Sequence, residues 1–197
     1  MINPAFREQI SSFRGFPGLY IHIPFCREKC SYCDFYSLPY SEKKKGRFLS
    51  ALNKEILFYG KLLSPLKLKT VYIGGGTPSL LTPAEVGTLL EHIRTTFSFP
   101  LPAEITLEAN PACITPHKIQ NYRKIGITRL SLGIQSFFNS ELNLLGRQHS
   151  AAGAEEAIEA VSRYFDNYSL DFIFALPGQT AEKWEWTLEK ALSFNPP

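Results

Sequence analysis

An α/β fold built on a parallel sheet is predicted for this 197-residue chain by three observations. Short apolar runs of strand character recur along it, each run is followed by a longer segment of helical periodicity, and hairpin signals between runs are few. Parallel strands need right-handed crossovers, which leaves a doubly wound sheet or a barrel.

The elements follow in order. Residues 19–24 read as the first strand, and a cysteine-rich loop comes next. A helix is expected over about 45–63, where Phe48, Leu52, Ile56, Tyr59 and Leu63 fall three or four apart on one stripe. Residues 69–73 form the second strand and lead into Gly74-Gly75-Gly76. The next helix opens at Thr82-Pro83-Ala84-Glu85, which supplies a capping threonine, a proline at the first helical position and a glutamate at the third. Residues 104–108 are the third strand, 116–125 a helix closed by Gly126, and 129–135 the fourth strand. A short turn near 140–145 precedes a helix over about 151–164; 169–174 is the fifth strand and 181–194 the last helix. The expected division is an N-terminal segment, 1–18, and a core, 19–197. The sequence ends after a helix and before any sixth strand, so a partial barrel of about five βα units is expected, with an open sheet edge that lowers solubility.

Composition is that of a globular chain, 44% hydrophobic and 20% charged. The net charge of +3 is spread along the sequence and makes no case for nucleic acid; Lys43 to Lys45 is the one basic run and reads as a solvated loop or helix start. The first residues lack a basic region followed by an apolar stretch, and no run is long enough to span a bilayer. A soluble protein of a reducing cytoplasm is therefore expected, where clustered cysteines bind metal or carry redox chemistry more often than they form disulfides.

Three of the four cysteines, Cys26, Cys30 and Cys33, lie in the run from His22 to Phe35. A C-x3-C-x2-C loop can wrap one face of a cubane and offer three thiolates to three irons, leaving the fourth iron open to a small chelating molecule. A structural zinc site is the alternative and needs a fourth protein ligand, His22 or the distant Cys113. Otherwise Cys113 reads as a buried free thiol. The loop falls at the C-terminal end of a strand, where parallel sheets build their sites.

Gly74-Gly75-Gly76-Thr77-Pro78-Ser79 follows the second strand directly, so its backbone amides could approach a ligand or simply make a tight turn. It lacks the Gly-Lys-Ser/Thr of a phosphate loop and the G-x-G-x-x-G of a dinucleotide site. Glu108, Gln135, Arg147 and Asp171 sit at or beyond the ends of other strands. Each alone reads as a solvated or capping residue. Together at one end of the sheet they offer the donors and acceptors that an amino acid's ammonium and carboxylate and a ribose's hydroxyls require.

These motifs occur in order, one per strand: Tyr20-Ile21-His22-Ile23-Pro24-Phe25-Cys26, the C-x3-C-x-Tyr-C-Asp-Phe loop, Gly74 to Ser79, Glu108-Ala109-Asn110-Pro111, Arg129 to Phe137 and Leu176-Pro177-Gly178-Gln179-Thr180. In this the chain resembles the radical S-adenosylmethionine superfamily from about residue 19 onward, and within it the group containing oxygen-independent coproporphyrinogen III oxidases and HemW haem chaperones. The resemblance implies a (βα)6-type barrel, here partial. It also implies a 4Fe-4S cluster on Cys26, Cys30 and Cys33, whose open iron takes S-adenosylmethionine and whose electron cleaves that molecule to a 5'-deoxyadenosyl radical. Tyr20 and Tyr32 would flank S-adenosylmethionine, Gly75, Gly76 and Thr77 would meet its amino acid portion, and Glu108, Gln135, Arg147 and Asp171 would make further contacts.

Two functions are compatible with the group. The chaperone binds haem and passes it to an acceptor protein; the oxidase decarboxylates two propionates of a porphyrinogen in haem synthesis. The oxidase pattern has a further cysteine where this chain has Phe35, and a longer arm before the first cysteine, so the chaperone is favoured. Implied partners are haem or a porphyrinogen, a haem-acceptor protein and an electron donor such as a flavodoxin or ferredoxin. His22 and His149 could ligate haem in principle, but their strand and helix-start contexts favour structural roles.

Overall fold

The structure is a computed structural model that describes residues 17–63, 66–98 and 103–197. Residues 1–16 of the expected N-terminal segment lie outside the described residues. The chain enters β1 (Gly18–Ile23), and two-residue strands β2 (Phe25–Cys26) and β3 (Leu38–Pro39) bracket the cysteine loop. Then come α1 (Glu42–Leu63), β4 (Thr70–Gly75), α2 (Pro83–Thr96), β5 (Glu104–Ala109), α3 (Pro116–Lys124) and β6 (Arg129–Gln135). α4 (Asn139–Leu144), α5 (Ala151–Ser162), β7 (Tyr168–Phe172) and α6 (Ala181–Ser193) complete the order.

Five of the strands make one parallel sheet, as the alternation of runs predicts, and their order is β1-β4-β5-β6-β7. Successive residues of a strand point to opposite faces. Ile21, Ile23, Val71, Ile73, Leu107, Leu130, Leu132 and Ile134 are buried in one core cluster with Val86, Leu89, Leu90 and Ile93 of α2 and Ile158 and Val161 of α5. The alternate positions carry Tyr20, Tyr72, Thr106, Glu108, Ser131 and Asp171. Most parallel sheets bury both faces and read as continuous apolar runs. This one keeps a polar face, and the site is built at its C-terminal rim.

Several boundaries differ from expectation for identifiable reasons. The second strand runs two residues further, through Gly74 and Gly75, because both pair with β1 opposite His22 and Ile23. The first helix begins at Glu42, whose acidic first turn favours an earlier start. The turn expected near 140–145 is a helix, α4. The last strand ends at Phe172, and Ala175 at φ 59 turns the chain away from the sheet. The capping box of Thr82 and Glu85 is formed as the motif predicts, and Gly126 closes its helix at φ 102.

Lys45 corrects the reading of the basic run as solvated. Its side chain is 3% exposed, with Nζ 2.8 Å from Glu42 and 2.7 Å from Glu85. Burial works to lower the Lys45 pKa, but the two carboxylates outweigh it and hold the ammonium charged. The pair with Glu85 ties the first turn of α1 to the first turn of α2.

Candidate functional site

The cysteine loop is pinned at both ends by backbone bonds. Leu38 N–H donates to the Pro24 carbonyl at 2.6 Å and Tyr40 N–H to the Cys26 carbonyl at 2.8 Å, which closes the β2–β3 ladder. Its middle is held from α4: Ser31 N–H reaches the Leu145 carbonyl at 3.2 Å, and Ser31 Oγ–H the Leu144 carbonyl at 2.9 Å. His22 Nε2 lies 2.9 Å from the Tyr36 carbonyl and must donate to it, so Nδ1, 3.2 Å from the Tyr20 hydroxyl, accepts. Both ring nitrogens are engaged within the loop's own framework.

At the C-terminal ends of the strands lies a recess of about 310 Å³. Cys26, Cys30, Cys33, Tyr32, Gly75, Gly76, Thr77, Glu108, Gln135, Arg147 and Asp171 all line it, and Tyr20 does not. Tyr20 stands on the neighbouring strand, its ring 5.9 Å from that of Tyr72, and lines a separate apolar groove of about 780 Å³ between β1 and α1.

The glycines are explained by what surrounds them. A Cβ on Gly74 would lie 3.0 Å from both the Glu108 carboxylate and the Tyr20 ring. Gly75 adopts φ 121, open to glycine at little cost, and its N–H donates to Glu108 Oε2 at 3.1 Å. On Gly76 a Cβ would meet the Phe25 carbonyl at 2.8 Å and Cys26 Sγ at 2.9 Å, so the bare backbone forms a cradle at the first thiol.

Three carboxylates line this space, those of Glu28, Glu108 and Asp171. Glu108 accepts from the Tyr72 hydroxyl at 2.8 Å as well as from Gly75. Burial raises its pKa against the pull of both bonds, and the charge of Asp171 adds to the rise. Asp171 accepts from Ser131 Oγ–H at 2.8 Å; it too is raised by desolvation, because its carboxylate turns from the exposed end of β7 into the recess. The Tyr72 phenol is pushed up to about 12 by burial and then by Glu108, so it stays a donor.

With Lys29, Arg147 supplies positive charge to the lining. Its guanidinium donates to the Gly133 carbonyl at 2.6 Å and reaches Cys30 Sγ at 3.7 Å and the Tyr32 hydroxyl at 3.5 Å. Its Nε is buried without a partner. Burial pushes Tyr32 up to about 12, opposed by Arg147 and reinforced by Cys30 and Cys33. Gln135 ends β6 at φ 70, a left-handed conformation uncommon outside glycine, where β6 bulges against β7 between Gly133 and Gln135.

Sequence reasoning missed Tyr72, Ser131 and Glu141. Tyr72 and Ser131 carried a signal: each is a polar position alternating with buried aliphatics, Val71 and Ile73 for one, Leu130 and Leu132 for the other. Glu141, 5% exposed inside α4, gave none. Cys113 is a free, half-buried thiol raised by burial, as expected.

The residues present fit a thiolate-held cluster with a chelating ligand beside it. Thr77 Oγ1–H and the Arg147 guanidinium point at Cys26 and Cys30 sulfurs, at 3.6 and 3.7 Å, as donors that stabilise thiolates do. Gly76 leaves space at Cys26, and Arg147 lines the same recess. Zinc fits less well, since His22 is committed to Tyr20 and Tyr36. Among the described residues, no three His, Cys, Asp or Glu side chains converge on a single metal-ion position.

Fold and site together define a class: a parallel α/β sheet that carries a three-thiol loop over a polar recess at its strand ends. The chain matches the Radical SAM superfamily over residues 20–191 and belongs to it. Among curated proteins it is 36% identical over 187 residues to "Heme chaperone HemW" of Escherichia coli, covering 91% of this chain and 48% of that protein. Against the protein of the same name from Haemophilus influenzae it is 37% identical, covering 91% and 49%. A mouse relative, "Radical S-adenosyl methionine domain-containing protein 1, mitochondrial", is 36% identical over 89% of this chain and 40% of its own length. The chain thus spans about half the length of the curated relatives it matches. Among solved structures, coproporphyrinogen III oxidase HemN of Escherichia coli superposes with a TM-score of 0.90 at 29% identity, over all of this chain and 46% of that one. Methylornithine synthase PylB, with a TM-score of 0.62 at 16% identity, shares the fold. No helix among the described residues is long and apolar enough to cross a membrane.

Proposed function

We propose that this HemW-like radical SAM protein binds a 4Fe-4S cluster through Cys26, Cys30 and Cys33 and S-adenosylmethionine in the adjoining recess, and takes part in haem binding and transfer to acceptor proteins in the cytoplasm. The observation that carries the cofactor reading is the single recess that joins the three thiols to the glycine edge and to Glu108, Gln135, Arg147 and Asp171. When bound, the cluster supplies the electron that breaks the carbon–sulfur bond of S-adenosylmethionine.

The chain's own residues do the rest. Arg147 places a fixed positive charge beside Cys30, at the lining of the recess. Glu108, held by Tyr72 and Gly75, presents an acceptor for an ammonium group or a hydroxyl. Asp171, oriented by Ser131, presents a second. Gln135 reaches in from the strand end with both a donor and an acceptor. Tyr20 stands outside the recess and acts on it only through Tyr72 and His22, against which its ring and hydroxyl pack.

Haem transfer rests on the likeness to HemW at 36–37% identity and on Phe35, which stands where the oxidase pattern has a cysteine. The close superposition on HemN favours a second reading, oxidative decarboxylation of a porphyrinogen. Fold alone separates such functions poorly. Anaerobic reconstitution should give a cluster spectrum that is lost when all three cysteines are changed to alanine, with S-adenosylmethionine altering the electron paramagnetic signal of the reduced protein. Incubation of coproporphyrinogen III with the reconstituted protein, S-adenosylmethionine, a reductant for the cluster and an electron acceptor for the substrate radical should leave the porphyrinogen unchanged, and haem titration should produce a Soret shift. Vinyl product would replace the chaperone reading with the oxidase; zinc without iron in the anaerobically purified protein would overturn both.

A further inference from the structure

The conformation of Gln135 has to be held in place, and the structure shows by what. Across it, Ser136 N–H donates to the Ile134 carbonyl at 2.9 Å, closing a three-residue turn of the strained, left-handed kind. Such a turn persists only when its surroundings over-determine it. Here two buried side chains do so from separate directions.

From one side, His149 Nε2–H donates to the same Ile134 carbonyl at 3.0 Å. From the other, the Glu141 carboxylate accepts from the Ser136 hydroxyl and, at 3.1 Å, from the side-chain amide of Gln179. Ser136 Oγ in turn accepts from Phe138 N–H at 3.0 Å, and Gln179 Oε1 accepts from Leu176 N–H at 3.4 Å. The Leu176 to Thr180 motif, which no role at the recess has absorbed, is thereby joined to the Gln135 turn. α4, which carries Glu141, also holds the cysteine loop through Ser31, so one short helix fixes the turn against the thiols. Glu141 and His149 are 5% and 8% exposed. Neither lines the recess. A buried carboxylate is costly unless it is hydrogen-bonded, and both bonds that Glu141 accepts come from the turn and from the Leu176 to Thr180 motif.

We infer that Glu141 and His149 are positioning residues: they hold Gln135 in its left-handed turn, aimed at S-adenosylmethionine, and act on that ligand only through Gln135. This rests on the cofactor reading above. Residues that orient a ligand-binding group are worth about tenfold to a hundredfold in affinity when removed.

The test is a double-mutant cycle on the reconstituted full chain, read as S-adenosylmethionine affinity by calorimetry, with iron content and thermal midpoint measured beside it. Gln135→Ala and Glu141→Gln should each weaken binding by about tenfold with iron content unchanged, and the double variant should bind no more weakly than Gln135→Ala alone. His149→Phe should weaken binding likewise. His149→Gln, whose amide can still donate to Ile134, should restore it to within about twofold of the parent. A purely structural role would lower the midpoint and leave these affinities alone. Wild-type affinity in Glu141→Gln, or losses that multiply in the double variant, would overturn the inference while leaving the cofactor reading intact. Should Glu141→Gln fail to fold, the two His149 variants decide, and equal affinities in them refute the assignment. A parent protein that holds its cluster yet binds no S-adenosylmethionine sinks both.

Discussion

His149 carries a consequence for pH that follows from its surroundings alone. It is buried, and desolvation, then the charge of Arg147, lowers its pKa to about 4 against the usual 6.5, despite the bond to Ile134. The folded state thus keeps the imidazole neutral where the unfolded chain would protonate it. Above pH 6.5 the group makes no pH-dependent contribution; between 6.5 and 4 the unfolded state binds the extra proton, and stability falls with pH. Linkage over that window gives a loss of about 2 kcal/mol by pH 5. Urea unfolding at pH 7 and pH 5 should show it, and His149→Gln should remove most of the difference; an unchanged slope in that variant would contradict the assignment. Gly76 makes a second residue-scale case. Gly76→Ala sets a methyl against the Phe25 carbonyl and Cys26 Sγ, a backbone atom and a thiol that cannot both retreat. Iron retained after anaerobic reconstitution should fall about twofold or more, with a stability loss on the order of 1 kcal/mol.

At the scale of elements, what the sequence made legible was local. The capping box at Thr82 and the helix stop at Gly126 need only neighbouring residues, and both formed as expected. The stripe from Phe48 to Leu63 identified α1 by its period. Lys45 was misread because its burial depends on Glu85, forty residues away, and α4 because a six-residue helix has no room to display a period. Packing between α1 and α2 yields a paired prediction of opposite sign. Gly46 and Gly60 both lie in α1. A Cβ on Gly46 meets nothing within 4 Å, whereas one on Gly60 would overlap the Thr96 Cγ2 methyl of α2. Helix propensity alone predicts that alanine stabilises either site by about 0.8–1 kcal/mol. We expect that gain for Gly46→Ala and a net loss of about 1 kcal/mol for Gly60→Ala, since overpacking outweighs propensity. Denaturant midpoints of the two variants, one above the parent and one below, are the check.

At the scale of the whole molecule, the parallel direction of the strands and the grouping of Cys26, Cys30, Cys33, Glu108, Gln135, Arg147 and Asp171 at one rim could be read from the chain, since a βα rhythm puts the strand ends on one side; the order of the strands and the exclusion of Tyr20 from that recess could not. The hydrogen-bonded support could not. Tyr72 with Glu108, Ser131 with Asp171 and Ser136 with Glu141 each depend on register or on a turn, which residue types alone do not encode. The sheet also has consequences for association. β1 and β7 are its outer strands. β7, Tyr-Ser-Leu-Asp-Phe, has a single charged side chain, and that one turns into the recess, so no lysine or proline guards the edge. Phe174, two residues after it, is 69% exposed, and Leu192 of α6 is 70% exposed. Taken as these 197 residues alone, the sheet presents an unguarded parallel edge with apolar side chains exposed nearby, which favours pairing with a second chain. Light scattering across a micromolar dilution series should therefore report a mass above that of one chain at the upper concentrations, decreasing on dilution. Leu170→Pro, which cannot continue a ladder and keeps the recess residues in place, should shift the equilibrium toward the monomer. A single-chain mass at every concentration for the parent protein would show that this edge is silent in solution.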